Sequence, residues 1–136
     1  MNPLRAFHLI IGTLGIFAFL LTGQYMLWVH NHLQGMPDGP RLFFRSCHIY
    51  LLWSSLLNVV LGCYLTRPQR RYLRHAQSLA SFAILVGPFL LCTSFFVELH
   101  NPGLLRPIGQ LAIFLGFGGV LAHAVTALAS DAERSE

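Results

Sequence analysis

The chain has 136 residues, of which 54% are hydrophobic and 10% are charged, with no lysine and a formal net charge of +4. So small a polar fraction cannot coat a soluble globule, which excludes an ordinary soluble enzyme. The arginines lie near the ends of apolar stretches, where they act as a topology signal and give no indication of nucleic-acid binding. The composition therefore predicts an integral membrane protein in contact with the lipid bilayer, and we expect a bacterial inner (plasma) membrane.

Four apolar stretches are each long enough to cross about 30 Å of hydrocarbon as a helix. They cover about residues 6–29, 43–65, 77–97 and 107–130. The connections are short and contain glycine and proline, which favours antiparallel neighbours. We expect an all-α integral membrane protein, an up-down-up-down four-transmembrane-helix bundle that fills residues 1–136 as one domain.

The arginines are distributed unequally between the two ends of such a bundle. Six lie at the end that carries both termini and three lie at the other end, which by the positive-inside rule places the N and C termini in the cytoplasm. The six are Arg5, Arg67, Arg70, Arg71, Arg74 and Arg134, and the three are Arg41, Arg45 and Arg106. The arginine-rich middle connection is expected to lie against anionic lipid head groups.

The first span places His8, Gly12, Gly15 and Gly23 on one helical face. Small residues in a membrane helix mark the side where another helix or a flat ligand comes close. The first connection, VHNHLQGM, then carries His30, His32 and Met36, a combination of nitrogen and sulfur ligands that could take copper, although solvated loop histidines are the simpler interpretation.

The second and third spans bring polar side chains to the outer level of the bundle. Arg45 and His48 lie one turn apart in the second span, and Glu98 ends the third. We expect an ion pair between Arg45 and Glu98 with His48 beside it. This cluster is either a structural clamp or a site for a small polar head group, a quinone carbonyl or a haem propionate.

The last span repeats the pattern of the first, because His123 shares a face with Gly109, Ala112, Gly116 and Gly119. His8 lies about 5 Å along its helix and His123 about 10 Å from the same end, at 1.5 Å per residue. The first and last helices of an up-down bundle are normally neighbours, so the two imidazoles are expected to face each other.

Two inward imidazoles flanked by glycines suit haem b, with His8 and His123 as axial metal ligands and Gly12 and Gly116 leaving room for the macrocycle. Intramembrane ionisable residues are costly, which favours a functional role for them. The alternative is that each histidine is hydrogen-bonded in the core and that the glycines serve helix packing.

Three functions fit these patterns. The first is a small cytochrome b-like protein that binds haem between the first and last helices and passes electrons between a quinol and a partner. The second is a non-catalytic accessory subunit or assembly factor of a larger membrane complex, which docks on a membrane protein partner or on a second copy. The third is a membrane enzyme or carrier for a lipophilic substrate at the outer level. The sequence contains no recognisable catalytic triad or phosphate loop, so it leaves open whether the chain is an enzyme.

Overall fold

The computed structural model describes residues 3–98 and 106–134, without the side chains of residues 131, 133 and 134. This part of the chain folds into α1 (Pro3–Trp28), a single 3-10 turn (Asn31–Leu33), α2 (Asp38–Tyr64), α3 (Arg71–Val97) and α4 (Pro107–Arg134). All four α-helices are long and apolar enough to cross a membrane, α4 over Pro107–Ser130. The prediction of an all-helical chain with four such helices is confirmed.

The helices extend beyond the apolar stretches. α2 begins at Asp38 and α3 at Arg71, five and six residues before the predicted spans. Asp38 lies in the first turn of α2, where a negative charge interacts favourably with the helix dipole. At the other end of α2, the Arg5 guanidinium donates hydrogen bonds to the carbonyl oxygens of Gly62 (2.9 Å) and Cys63, which would otherwise lack partners in the last turn.

The four helices do not form a ring. α1 packs mainly on α2 and α4 mainly on α3, while α2 and α3 also pack together and α1 makes a smaller contact with α3. α2 and α4 touch only slightly, and α1 and α4 are not a packed pair. The cross-section is therefore a rhombus with α2 and α3 at its centre, and the predicted packing of the first helix on the last is wrong. The His8 and His123 imidazoles are still close enough to interact electrostatically.

Glycines determine which helices approach each other. A Cβ on Gly12 would lie 2.7 Å from the Val59 backbone nitrogen, and one on Gly62 would lie 2.8 Å from the Leu9 backbone nitrogen. Because Leu9 lies next to Gly62 and Gly12 lies next to Val59, α1 and α2 are antiparallel. The glycine face of α1 is thus already covered by α2, which is why it does not face α4.

Candidate functional site

His8 is fully buried and bonds to α2. Its Nδ1 lies 2.7 Å from Asn58 Oδ1, and the Asn58 amide nitrogen donates to the backbone oxygens of Ser54 (2.9 Å) and Ile84 (3.1 Å). Because the amide nitrogen of Asn58 is the donor in those bonds, Oδ1 must accept a proton from His8 Nδ1. The lone pair of His8 is then on Nε2, which is buried and has no hydrogen-bond partner within the described residues.

The bond from Asn58 to Ile84 compensates for a proline in α3. Pro88 lies inside that helix and has no N–H group, so the carbonyl of Ile84, four residues earlier, loses its usual partner. A backbone carbonyl without a partner is costly in a membrane interior. Asn58 therefore connects α2 to α3 at the carbonyl that the proline leaves without its helical partner, and it orients His8 as well.

His123 bonds to α3 and not to His8. Its Nε2 lies 3.1 Å from the hydroxyl oxygen of Ser81, which is fully buried. Ser81 and Ile84 are about one turn apart on α3, so His8 and His123 lie at neighbouring levels. The imidazole of His8 is thus directed from α1 towards α2, and that of His123 from α4 towards α3.

The space that a flat cofactor would need beside the glycines is filled. Val59 and Ser55 lie within 3 Å of a Cβ built on Gly12, and the Trp53 ring lies 2.8 Å from one built on Gly116. The described residues also contain no group of three or more histidine, cysteine or acidic side chains that could hold a metal ion. Haem binding by His8 and His123 stays a prediction, but the glycines serve helix packing in this structure.

The structure does not bring Arg45, His48 and Glu98 together at the outer level of the bundle. Glu98 is 3% exposed, and its carboxylate accepts hydrogen bonds from the backbone nitrogens of Ile108 (2.7 Å) and Gly109 (3.0 Å) and from the Ser94 hydroxyl. Arg45 is exposed, and no ion pair joins it to Glu98 in the described part of the chain. The predicted ion pair is wrong because the first turn of α4, with its free N–H groups and positive dipole end, binds the carboxylate instead.

His48 is directed towards α1. Its ring stacks on Phe19 at a centroid distance of 4.0 Å, and its Nδ1 lies 2.9 Å from the Thr22 hydroxyl oxygen. A Cβ on Gly23 would lie 3.2 Å from the same ring. The structure therefore does not bring His48 together with Arg45 or Glu98 into one site.

The histidines of the first connection do not converge with Met36. His30 lies among aromatic rings, 5.3 Å from Tyr25 and 5.0 Å from Phe44 between centroids, whereas His32 is exposed with a φ of 57°. Met36 packs against the apolar core. Copper binding by these three residues has no geometric support here and stays a prediction.

A cleft between α2 and α4 did not emerge from the sequence patterns. It has a volume of about 400 Å³ and lies between the C-terminal halves of these two helices, towards the end that carries the arginines. The apolar part of its lining comes from both helices and from the connection after α2. Polar side chains of His123, Thr126 and Ser130 line the α4 wall as well. The sequence could not reveal the cleft because the position of α4 relative to α2 is set by packing on α3.

A second cleft of about 310 Å³ adjoins the first, and Arg67 and Gln77 line both. Basic and polar side chains of α3 surround it, at the helical spacing of Arg71, Arg74, His75 and Ser78. We call this second cleft the arginine mouth. The guanidinium groups of Arg67, Arg71 and Arg74 have no ion-pair or hydrogen-bond partner among the described side chains.

Gln77 fixes the junction of the two clefts. It is 7% exposed, and its amide nitrogen donates a 2.7 Å hydrogen bond to the Thr66 carbonyl oxygen. This bond ties the connection after α2 to the second turn of α3. The next residue, Arg67, lines both clefts.

Comparison with known proteins gives no relative from which a role could be transferred. No protein-family model matches the chain, and no curated protein or solved structure is significantly similar to it. The functional conclusion for this chain therefore depends on the geometry of its own residues.

Proposed function

We propose that the protein binds an anionic amphiphile, with a phosphate or carboxylate head group in the arginine mouth and a hydrocarbon chain in the cleft between α2 and α4. One observation carries this proposal: a basic cleft adjoins a largely apolar one, and Arg67 and Gln77 line both. This is the third of the functions that fit the sequence, a protein for a lipophilic substrate, but located at the end opposite to the predicted outer level.

The arginine mouth has the chemistry that an anionic head group requires. Arginine presents a planar set of N–H donors that matches the oxygens of phosphate and carboxylate groups. Arg71 is also the first residue of α3, so the positive end of the helix dipole lies at the same place. A ligand anion would satisfy guanidinium groups that have no protein anion beside them among the described residues.

The apolar cleft opens sideways, where a membrane protein meets lipid. Val60 and Tyr64 on one wall are exposed, as is Ala124 on the other. A hydrocarbon chain can therefore enter from the bilayer without crossing water. Burial of that chain against both helices would cover the part of the seam that α2 and α4 leave open.

The proposed orientation places the arginine mouth in the cytoplasmic leaflet, with an up-down-up-down arrangement in the inner membrane and both termini in the cytoplasm. Anionic lipids of that leaflet attract arginines near the surface. We expect a topology reporter fused after Glu136 to be cytoplasmic and one inserted next to Asp38 to be external. The opposite pattern would contradict the orientation without changing the geometry of the cleft.

Loss of arginines from the mouth is expected to weaken ligand binding. Each neutralised guanidinium should lower the affinity for an alkyl phosphate about fivefold, because an arginine near an anionic surface contributes about 1 kcal/mol. The triple change Arg67→Gln, Arg71→Gln and Arg74→Gln should then lower it roughly a hundredfold. Calorimetric titration of the detergent-solubilised protein at low salt measures this, and salt should reduce the difference.

Matched controls distinguish binding at this site from the effect of the protein's overall charge and from nonspecific binding of a hydrocarbon chain. Arg45→Gln removes an exposed arginine at the other end and should leave the affinity unchanged. An uncharged alkanol of the same chain length should bind weakly and equally to all variants, and inorganic phosphate alone should bind far more weakly than the alkyl phosphate. Equal binding of alkyl phosphate by wild type and the triple variant would refute the proposal.

Haem is a second candidate, favoured by one observation: the buried Nε2 of His8 has no hydrogen-bond partner within the described residues, as an axial ligand would require. The other predicted ligand fits less well, because His123 Nε2 is bonded to Ser81 and α4 is not packed on α1. A cytochrome should show a haem absorption spectrum after expression with excess haem, and His8→Ala and His123→Ala should each abolish it or shift it to high spin. A colourless protein without iron would end this hypothesis.

A further inference from the structure

A separate cavity of about 200 Å³ lies at the end of the bundle opposite to the arginine mouth. It is enclosed by the N-terminal half of α2, the C-terminal half of α3 and the beginning of α4. The buried side chains of Cys47, Leu91 and Ser94 form its floor, and the exposed side chains of Tyr50 and Gln110 stand at its rim. None of these residues lines the clefts at the arginine mouth.

The polar hydrogens at the floor of this cavity already have acceptors. The Cys47 thiol donates to the Leu91 carbonyl oxygen at 3.4 Å, and the Ser94 hydroxyl donates to the Glu98 carboxylate. Gly109 keeps the α4 backbone close to the floor, since a Cβ there would lie 2.8 Å from Ser94 Oγ. The floor therefore suits the apolar body of a ligand.

The rim, in contrast, has polar groups without partners. The hydroxyls of Ser46 and Tyr50 and the side-chain amide of Gln110 make no hydrogen bond within residues 3–98 and 106–134. Each of them can donate a hydrogen to an oxygen atom. Arg106 adds further N–H donors, because only its Nη1 is bonded, at 2.9 Å to the backbone oxygen of Glu98. A ligand that fits this rim has an oxygen acceptor.

The charges around the cavity disfavour an anion. The carboxylate of Glu98 is buried and accepts hydrogen bonds from Ser94 and from the Gly109 backbone nitrogen, two residues of the lining, so its negative charge lies directly behind the floor. Like charges repel strongly at short distance in an apolar interior. The single guanidinium at the rim, that of Arg106, lies 3.6 Å from the centre of the Phe43 ring. The acceptor oxygen therefore belongs to a neutral group.

We propose that this cavity binds the neutral, carbonyl-bearing ring of a lipid-soluble molecule, the chemistry of a quinone head group. Its volume suits one substituted ring, because sites for larger ligands are typically about 300–1,000 Å³. Tyr50 and Gln110 are exposed, so the ring enters from the bilayer while its hydrocarbon tail stays in lipid. The residues differ from Arg45, His48 and Glu98, at which the sequence predicts a quinone carbonyl, and the inference does not depend on the proposed function.

The experiment is a calorimetric titration of the purified full-length protein in detergent with a decyl-substituted benzoquinone, with decylbenzene as the ligand that lacks oxygen. Wild type should bind the quinone at least about tenfold more tightly than decylbenzene. Tyr50→Phe and Gln110→Leu should each lower the quinone affinity about two- to tenfold, the effect of one lost hydrogen bond, and leave the decylbenzene affinity unchanged. Gln24→Leu replaces an exposed glutamine of α1 and should change neither affinity.

Further variants and ligands test the location and the neutral charge. Ser46→Leu fills the cavity from its rim and should abolish quinone binding, whereas Tyr50→Phe and Gln110→Leu alter exposed side chains and should retain the fold. Decylbenzoate, which carries a negative charge, should bind more weakly than the quinone. Equal affinity of wild type for quinone and decylbenzene, or tighter binding of decylbenzoate, would contradict the proposal, as would an unchanged quinone affinity in both rim variants.

Competition separates this site from the arginine mouth. Saturation of the protein with alkyl phosphate should not displace the quinone, because the two ligands occupy opposite ends of the bundle. Displacement would mean that the quinone binds in the cleft at Arg67 and would contradict a separate site. A protein that binds the quinone but no alkyl phosphate would support this inference and refute the proposed function alone.

Discussion

Replacement of Glu98 by alanine is expected to lower the free energy of unfolding by about 3 kcal/mol, because hydrogen bonds to a charged acceptor contribute about 1.5 to 3 kcal/mol each. The carboxylate accepts two backbone N–H groups from the first turn of α4 and the hydroxyl of Ser94. Its loss leaves those helix N–H groups without partners. Glu98→Gln keeps a single carbonyl acceptor and should have about half the effect.

Arg45 provides the matched control for Glu98. Arg45→Met should change stability by less than about 0.5 kcal/mol, as is usual for an exposed side chain without specific contacts. Combination of Arg45→Met with Glu98→Gln should be additive, since the two side chains do not pair. Recovery of stability in the double variant, measured by denaturant unfolding in detergent, would restore the ion-pair hypothesis.

Alanine at Gly119 is expected to destabilise the protein by about 1 to 3 kcal/mol, the usual cost of overpacking. The new Cβ would lie 2.6 Å from Ile84 Cγ1 and 2.9 Å from the Ala80 backbone oxygen. The isoleucine side chain can adjust, but the carbonyl belongs to α3 and moves only with that helix. α3 and α4 would therefore have to separate, and the bond from His123 to Ser81 would lengthen with them.

Gly118 provides the control for Gly119, because the same substitution there creates no contact with α3. A Cβ on Gly118 meets nothing within 4 Å, so Gly118→Ala should be neutral or slightly stabilising, because alanine favours the helix. Thermal unfolding of the two variants in the same detergent gives the comparison. Equal stability of Gly118→Ala and Gly119→Ala would mean that α3 and α4 do not approach as closely as the structure shows.

The sequence alone predicts that four helices are long and apolar enough to cross a membrane. This follows from local properties, since helix length and apolar content are set by consecutive residues. It also identified His8 as an inward residue, because the three-residue and four-residue spacing of small residues is fixed by helix geometry. The structure agrees, with His8 fully buried.

The contacts of the inward residues depend on how the four helices pack. A glycine face indicates close approach but does not say to which helix, so the faces that we expected to enclose haem are occupied by α2 and Trp53. The predicted partner of Glu98 is wrong because two of its donors are backbone N–H groups, which a pattern of side chains does not display. The cleft at Arg67 lies between α2 and α4, which both pack on α3 and touch each other only slightly, and this arrangement is encoded in no single stretch of the chain.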